Sequence, residues 1–203
     1  DLNHPSIIAW TPFNETIGQA RTDSEVHRRA LAEIYEITRA LDPSRPVHDT
    51  SGYAHVRTDI YTVHDYEQDS EVFATTYAGV DPEHPQNTRV CFPDSEVPYQ
   101  GQPYVVDEYG GTWWVATSRE EGTDRAEGWG YGNRPHDIEE VYQRIENLTR
   151  VLTSHPYISG YTYTQLTDIE QEQNGIYTYD RQAKFDTQRL HQTFAKSAAI
   201  EQG

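Results

Sequence analysis

The sequence predicts an α/β fold in which successive strand–helix units build a parallel sheet. Two short apolar runs end in carboxylates: Ile7, Ile8, Ala9 and Trp10 lead to Asn14 and Glu15, and Tyr104, Val105 and Val106 lead to Asp107 and Glu108. Two longer stretches repeat apolar residues at helical spacing. Along the whole chain, strand-like and helix-like stretches alternate about five times, which is the pattern of βα units.

The first run, from Ser6 to Asn14, reads as a buried strand that delivers Glu15 at its C-terminal end. Thr22 to Glu25 forms a capping box for a helix. On that helix Val26, Ala30, Leu31, Ile34, Ile37 and Leu41 share one face, and Asp42-Pro43 ends it. Pro46 to Ser51 and Thr58 to Tyr66 are strand candidates. The gap between them is shorter than the dozen or so residues of an ordinary parallel crossover, so the helix there is reduced to a turn or one strand assignment fails. A short helix follows from Asp69 to about Ala78, and then a loop holding Pro82, Pro85, Pro93 and Pro98.

After the Glu108 strand comes a Gly/Trp-rich loop from Gly110 to His136 with Trp113, Trp114 and Trp129. Loops of this length inside a domain tend to be functional. Asp137, with Glu140 three residues on, starts a helix whose inner face carries Ile138, Val141, Ile145, Leu148 and Leu152. The last strand candidate lies in 158–168, and 187–200 closes as a helix. Five units do not complete an eight-stranded barrel: either the sheet is open, or three further units precede Asp1.

The chain has 203 residues, a formal charge of -17 and only two lysines, Lys184 and Lys196. So acidic a surface repels phosphate backbones and anionic membranes, which excludes nucleic acid and lipid as partner classes. No apolar run reaches the roughly 18 residues of a membrane-spanning helix. The lone Cys91 rules out an internal disulfide and a cysteine-rich metal site. A start inside an element and the lack of any methionine read as a piece of a longer protein.

Two carboxylates at strand ends suit glycosidic bond cleavage with retention, in which one carboxyl protonates the leaving oxygen and the other attacks the anomeric carbon, the two about 5 to 5.5 Å apart. Asn14, beside Glu15, is an amide of the kind that binds a sugar hydroxyl. A glutamate after a strand also reads as a solvated loop residue, and both readings stand on spacing alone.

The segments NHPSIIAWTPFNE, VVDEYGG and GYTYTQLTDIEQEQNGIYTYDR resemble the catalytic-barrel segments of glycoside hydrolase family 2, the β-galactosidases, β-glucuronidases and β-mannosidases, in the same order and over nearly the whole chain. The resemblance implies a partial (β/α)8 TIM barrel, roughly strands four to eight with their helices. It implies Glu15 on strand four as general acid/base, Glu108 on strand seven as nucleophile, a covalent glycosyl-enzyme, and no metal or cofactor. Tyr66 matches the family's strand-six tyrosine near the nucleophile, and His64 faces the same side by two-residue alternation, as a sugar ligand or a structural histidine. Strand eight carries no tryptophan, so Tyr163 is the nearest sugar platform, with Trp113 or Trp114 reaching in from the loop; burial is the competing reading for each Trp.

The Asn-x-Lys motif of the glucuronidase branch is absent, which with the net acidity points to a neutral glycoside, galactoside first. The family likeness also makes the missing barrel strands and the preceding β-sandwich domains the chain's partners. Without them the chain is expected to have weak or no activity, the alternative function being an inactive fragment or carbohydrate-binding module, and to oligomerise through exposed strand edges. A more distant alternative is a metal phosphohydrolase, suggested by His48-Asp49, His64-Asp65 and His136-Asp137.

Overall fold

The computed structural model describes residues 1–15, 25–115 and 128–202. Strands form where β-branched and aromatic residues concentrate: β1 (Tyr61–Asp65), β2 (Tyr104–Gly110) and β3 (Ile158–Thr164). They make a three-stranded sheet in the order β1-β2-β3, parallel and unclosed among the described residues. The helices are α1 (Glu25–Leu41), α2 (Ser70–Tyr77), α3 (Ile138–Thr153) and α4 (Thr187–Phe194). The chain divides into two compact units, one of Asp1–His64, Gly79–Asp107 and Tyr157–Gly160, the other of Asp65–Ala78, Glu108–Pro156 and Tyr161–Gly203.

In the first unit, the segment expected to be a strand at 6–14 is not one. It pairs at two isolated parallel bridges, Trp10 with Val47 and Asn14 with Ser51. Pro12 stands between these bridges and has no N–H to extend a ladder, and Ile8 is 81% exposed rather than buried. The Trp10 indole instead donates to Asp42 at the end of α1, at 2.7 Å. The partner segment, Val47 to Ser51, is buried throughout but also stays outside regular sheet. Its Asp49 carboxylate accepts the backbone N–H groups of Thr50, Val56 and Arg57, which folds the chain back after two bridges. The gap between the two strand candidates is therefore filled by turns.

Helix α1 buries Leu31 and Tyr35, whereas Val26, Ile37 and Leu41 of the expected inner face are exposed. The packing line is rotated because Tyr35 is anchored: its hydroxyl donates to Asp59 at 2.7 Å, Arg57 lies over its ring, and Arg39 pairs with the same aspartate. Apolar periodicity alone carries no sign of such an anchor. The cap expected at Thr22 lies outside the described residues. Around Leu31 and Ala54 pack Phe13, Tyr53, Val56 and Phe92.

In the second unit, Asp69 caps α2 by accepting from the amides of Glu71 and Val72. Asp137 caps α3 by accepting from Glu140, as its sequence predicts. α3 packs against both α2 and α4. Val141, Ile145, Leu148 and Leu152 are buried on the expected face; Ile138, in the first turn, stays 39% exposed. Phe185 and Leu190 complete a core with Val141, Tyr142 and Ile145. α4 stops at Phe194, short of the expected end, and Ala199–Gln202 forms a separate 3-10 turn in which Glu201 accepts from the Ala198 amide at 3.1 Å.

The most deeply buried charges of the first unit are His55 and Asp49, fully inaccessible and 2.7 Å apart. Burial alone would discharge both, but their mutual hydrogen bond and attraction leave the imidazole raised and the carboxyl lowered from their ordinary values. A raised histidine stabilises the fold below its unfolded pKa and loses that contribution as pH rises through the folded value. A depressed aspartate stabilises above its unfolded pKa and loses it as pH falls through the folded value. The pair therefore supports the fold most between the ordinary carboxylate and imidazole ranges. Asp49→Asn should lower stability by about 3–5 kcal/mol, because it strands a buried imidazolium. It should also flatten the pH dependence of the urea midpoint in that window, and an unchanged midpoint would contradict the account.

Candidate active site

The carboxylate at 15 is delivered by the second bridge. Asn14 pairs with Ser51, and the Glu15 amide donates to the Ser51 carbonyl at 3.2 Å, with Glu15 in the left-handed region at φ 46°. The turn leaves the Asn14 and Glu15 side chains exposed, and Glu15 Oε1 lies 2.6 Å from His64 Nδ1. On the other side of the ring, Nε2 is 2.9 Å from Ser51 Oγ and 3.4 Å from Asp107 Oδ1, while the Ser51 hydroxyl donates to Asp107 Oδ2 at 2.6 Å. Burial raises the Asp107 carboxyl above its ordinary value, and its bond to Ser51 opposes the shift.

Behind this group His48 bridges two threonines, Nδ1 to Thr11 at 3.1 Å and Nε2 to Thr62 at 2.7 Å. Burial pushes its imidazole down to about 3, so it is neutral at ordinary pH. The His64 ring fits because residue 52 is glycine. A Cβ there would lie 1.9 Å from Cδ2 of the ring, and the backbone sits at φ 67°. Tyr53 meets the ring edge-on at 6.4 Å.

In the second unit the Tyr66 hydroxyl donates to Glu108 Oε2 and lies 3.4 Å from Thr164 Oγ1. Burial and the Glu108 bond both raise the phenol's pKa, so it holds its proton and serves as a donor. Tyr131 stacks on Tyr66 with ring centres 3.4 Å apart, and Trp129, 45% exposed, meets Tyr131 edge-on at 5.6 Å. Gln68 fixes the turn after Tyr66 by donating to the Gly110 carbonyl and accepting from Thr112. A cavity of about 630 Å³ opens beside Tyr66, lined in part by Asp65, Glu67, Asn133 and Arg144.

The structure thus brings Glu15 to His64 and Glu108 to Tyr66. The other aromatic candidates are packed. Trp114 lies against the Val141–Leu190 core, Tyr163 sits edge-on to Tyr109 under Gly110, and Trp113 is covered by Arg134 at 5.2 Å with its indole N–H buried. Ser51, Asp107 and Tyr131 were not singled out by sequence reasoning. Only the adjacency of Asp107 to Glu108 hinted at any of them. Of the His-Asp dipeptides, His48 bonds threonines through both ring nitrogens, Asp49 holds His55, and Asp65 accepts from the Glu67 amide and the Tyr77 hydroxyl.

Residues 1–198 match the family model described as glycosyl hydrolases family 2, TIM barrel domain. No curated protein matches the chain. Among solved structures, a β-glucuronidase from Ruminococcus gnavus is similar at TM-score 0.66 and 17% identity, over 98% of this chain and 33% of its own. A Lactobacillus rhamnosus β-glucuronidase gives 0.61 and 21%, over 98% and 34%. A GH2 β-galacturonidase from Eisenbergiella tayi, bound to galacturonate, gives 0.63 and 17%, over 95% and 34%. The chain spans about a third of the length of each, and at these identities the likeness is one of fold.

Gly52→Ala tests the local geometry. The added methyl group meets the His64 ring, so the variant should lose about 1–3 kcal/mol in urea unfolding and shift the His64 ring resonances. A neutral substitution would mean that the ring does not occupy this position.

Proposed function

The chain belongs to glycosyl hydrolase family 2, and from that membership we propose that it carries both catalytic carboxylates of a retaining β-glycosidase. Glu108 attacks the anomeric carbon as Glu15 passes its proton to the departing oxygen, and a covalent glycosyl-enzyme forms. Water then attacks the same carbon, with Glu15 taking its proton and Glu108 leaving. The observation that carries the assignment is the Tyr66 hydrogen bond to Glu108. A phenol that keeps its proton stabilises the ionised carboxylate and orients it, which a nucleophile requires.

Asn14, exposed beside Glu15, is assigned to a sugar hydroxyl. For the apolar face of the sugar, Trp129 is the aromatic group that is both exposed and joined through Tyr131 to Tyr66. The substrate is a neutral terminal β-glycoside, galactoside first. The absence of an Asn-x-Lys sequence and the net charge of -17 both disfavour a sugar carboxylate. The names of the similar structures favour a uronide instead, so paired assays on nitrophenyl galactoside and glucuronide decide between the two. Activity belongs to the full-length protein, since 203 residues cover a third of the similar enzymes.

In that protein Glu108→Gln should lower kcat by roughly 1,000-fold or more, through loss of the nucleophile. Glu15→Gln should lose activity on substrates with poor leaving groups and recover part of it with added azide on activated ones. Rates like those of the wild type in either variant would refute the assignment.

A further inference from the structure

We propose that Asp107, Ser51 and His64 form a directed hydrogen-bond chain that keeps the catalytic proton on Glu15, making His64 a positioning residue; this rests on the reading of Glu15 as the acid/base. A serine hydroxyl has one proton to give. Here it goes to the Asp107 carboxylate at 2.6 Å, so the Ser51 oxygen presents a lone pair to His64 Nε2 at 2.9 Å and accepts its N–H. A neutral imidazole with hydrogen on Nε2 has a bare Nδ1. In the neutral ring that this assignment takes, the 2.6 Å contact between Nδ1 and Glu15 Oε1 closes with the proton on the carboxyl group, O–H donating to N; an imidazolium would close it in the opposite direction, which the nitrogen measurement below distinguishes. That is the form in which a general acid must begin the reaction.

The surroundings fix each link. Ser51 is held by its backbone, donating to the Phe13 carbonyl at 2.9 Å and accepting from the Glu15 amide, so one residue sets both the main chain of Glu15 and the ring that meets its side chain. Gly52 leaves the ring its space. Asp107 Oδ1 is buried, has no hydrogen-bond partner among the described residues and lies 3.4 Å from Nε2, so a carboxylate backs the same nitrogen that carries the hydrogen. The direction of the chain follows from the charge at 107. An amide there can donate to Ser51, whose own proton then turns to Nε2, and the hydrogen on the ring moves to Nδ1, facing Glu15.

The test uses the full-length enzyme with isotope-labelled histidine, His64 being assigned through His64→Gln. Nitrogen NMR of the wild type should show hydrogen on Nε2 and none on Nδ1, and Asp107→Asn should reverse this. In kinetics, Asp107→Asn and Ser51→Ala should lower the ratio of kcat/KM for a phenyl glycoside over its dinitrophenyl analogue by roughly 10- to 100-fold, as only the former needs acid assistance. Ser51→Thr, which keeps the hydroxyl, should retain the ratio.

An Nδ1–H in the wild type, or equal losses on both substrates in Asp107→Asn and Ser51→Ala, would overturn the proposal. Glu15→Gln separates this failure from that of the underlying reading. If its losses are selective for the phenyl glycoside while those of Asp107→Asn are not, the chain alone is refuted. If Glu15→Gln is itself indifferent to the leaving group, the acid/base role falls and the proposal with it.

Discussion

The local structure around the first carboxylate depends on how Ser51 is bound. Its amide and carbonyl hold 13–15 in place, and its hydroxyl joins β1 and β2 through His64 and Asp107. A serine suits this position because its short side chain donates and accepts at once, whereas alanine does neither and a longer group would displace the ring. The buried Asp49–His55 pair, a few residues away, keeps the intervening turn closed. Stability and proposed chemistry thus share one short segment, and charges lost from it are felt in both.

Much of the fold is legible in the sequence where pattern and local chemistry agree. The 3.6-residue apolar period and the Asp137 cap gave α3, and apolar runs bounded by turns gave β2 and β3. The reading fails where a tertiary contact decides. Pro12 and the side-chain bonds of Asp49 turned two expected strands into isolated bridges, and the Tyr35–Asp59 bond rotated α1 away from the face its leucines and isoleucines suggest. Neither effect leaves a periodic trace.

The candidate site divides in the same way. Glu15 and Glu108 stand out in the sequence because each follows an apolar run, Tyr66 through the family resemblance, and His64 through two-residue alternation in the same stretch. Ser51 and Asp107 are not, since their roles depend on which atom faces which ring nitrogen. Tryptophan content marks the aromatic loop as a region, but its exposure is not legible in the sequence: Trp129 is exposed while Trp113 and Trp114 are partly covered. The two carboxylates also differ in their partners, an imidazole for Glu15 and a phenol for Glu108.

The two lysines of the chain differ sharply in accessibility. Lys184 is sealed against Asp168, its ammonium bonded at 2.8 Å and its side chain inaccessible, whereas Lys196 lies exposed beyond the end of α4. Amine-directed reagents that spare the α-amino group therefore find a single accessible lysine side chain in these 203 residues. A dye, a cross-linker or a resin coupled through it would be attached outside the segments that carry Glu15 and Glu108, a natural handle for oriented immobilisation.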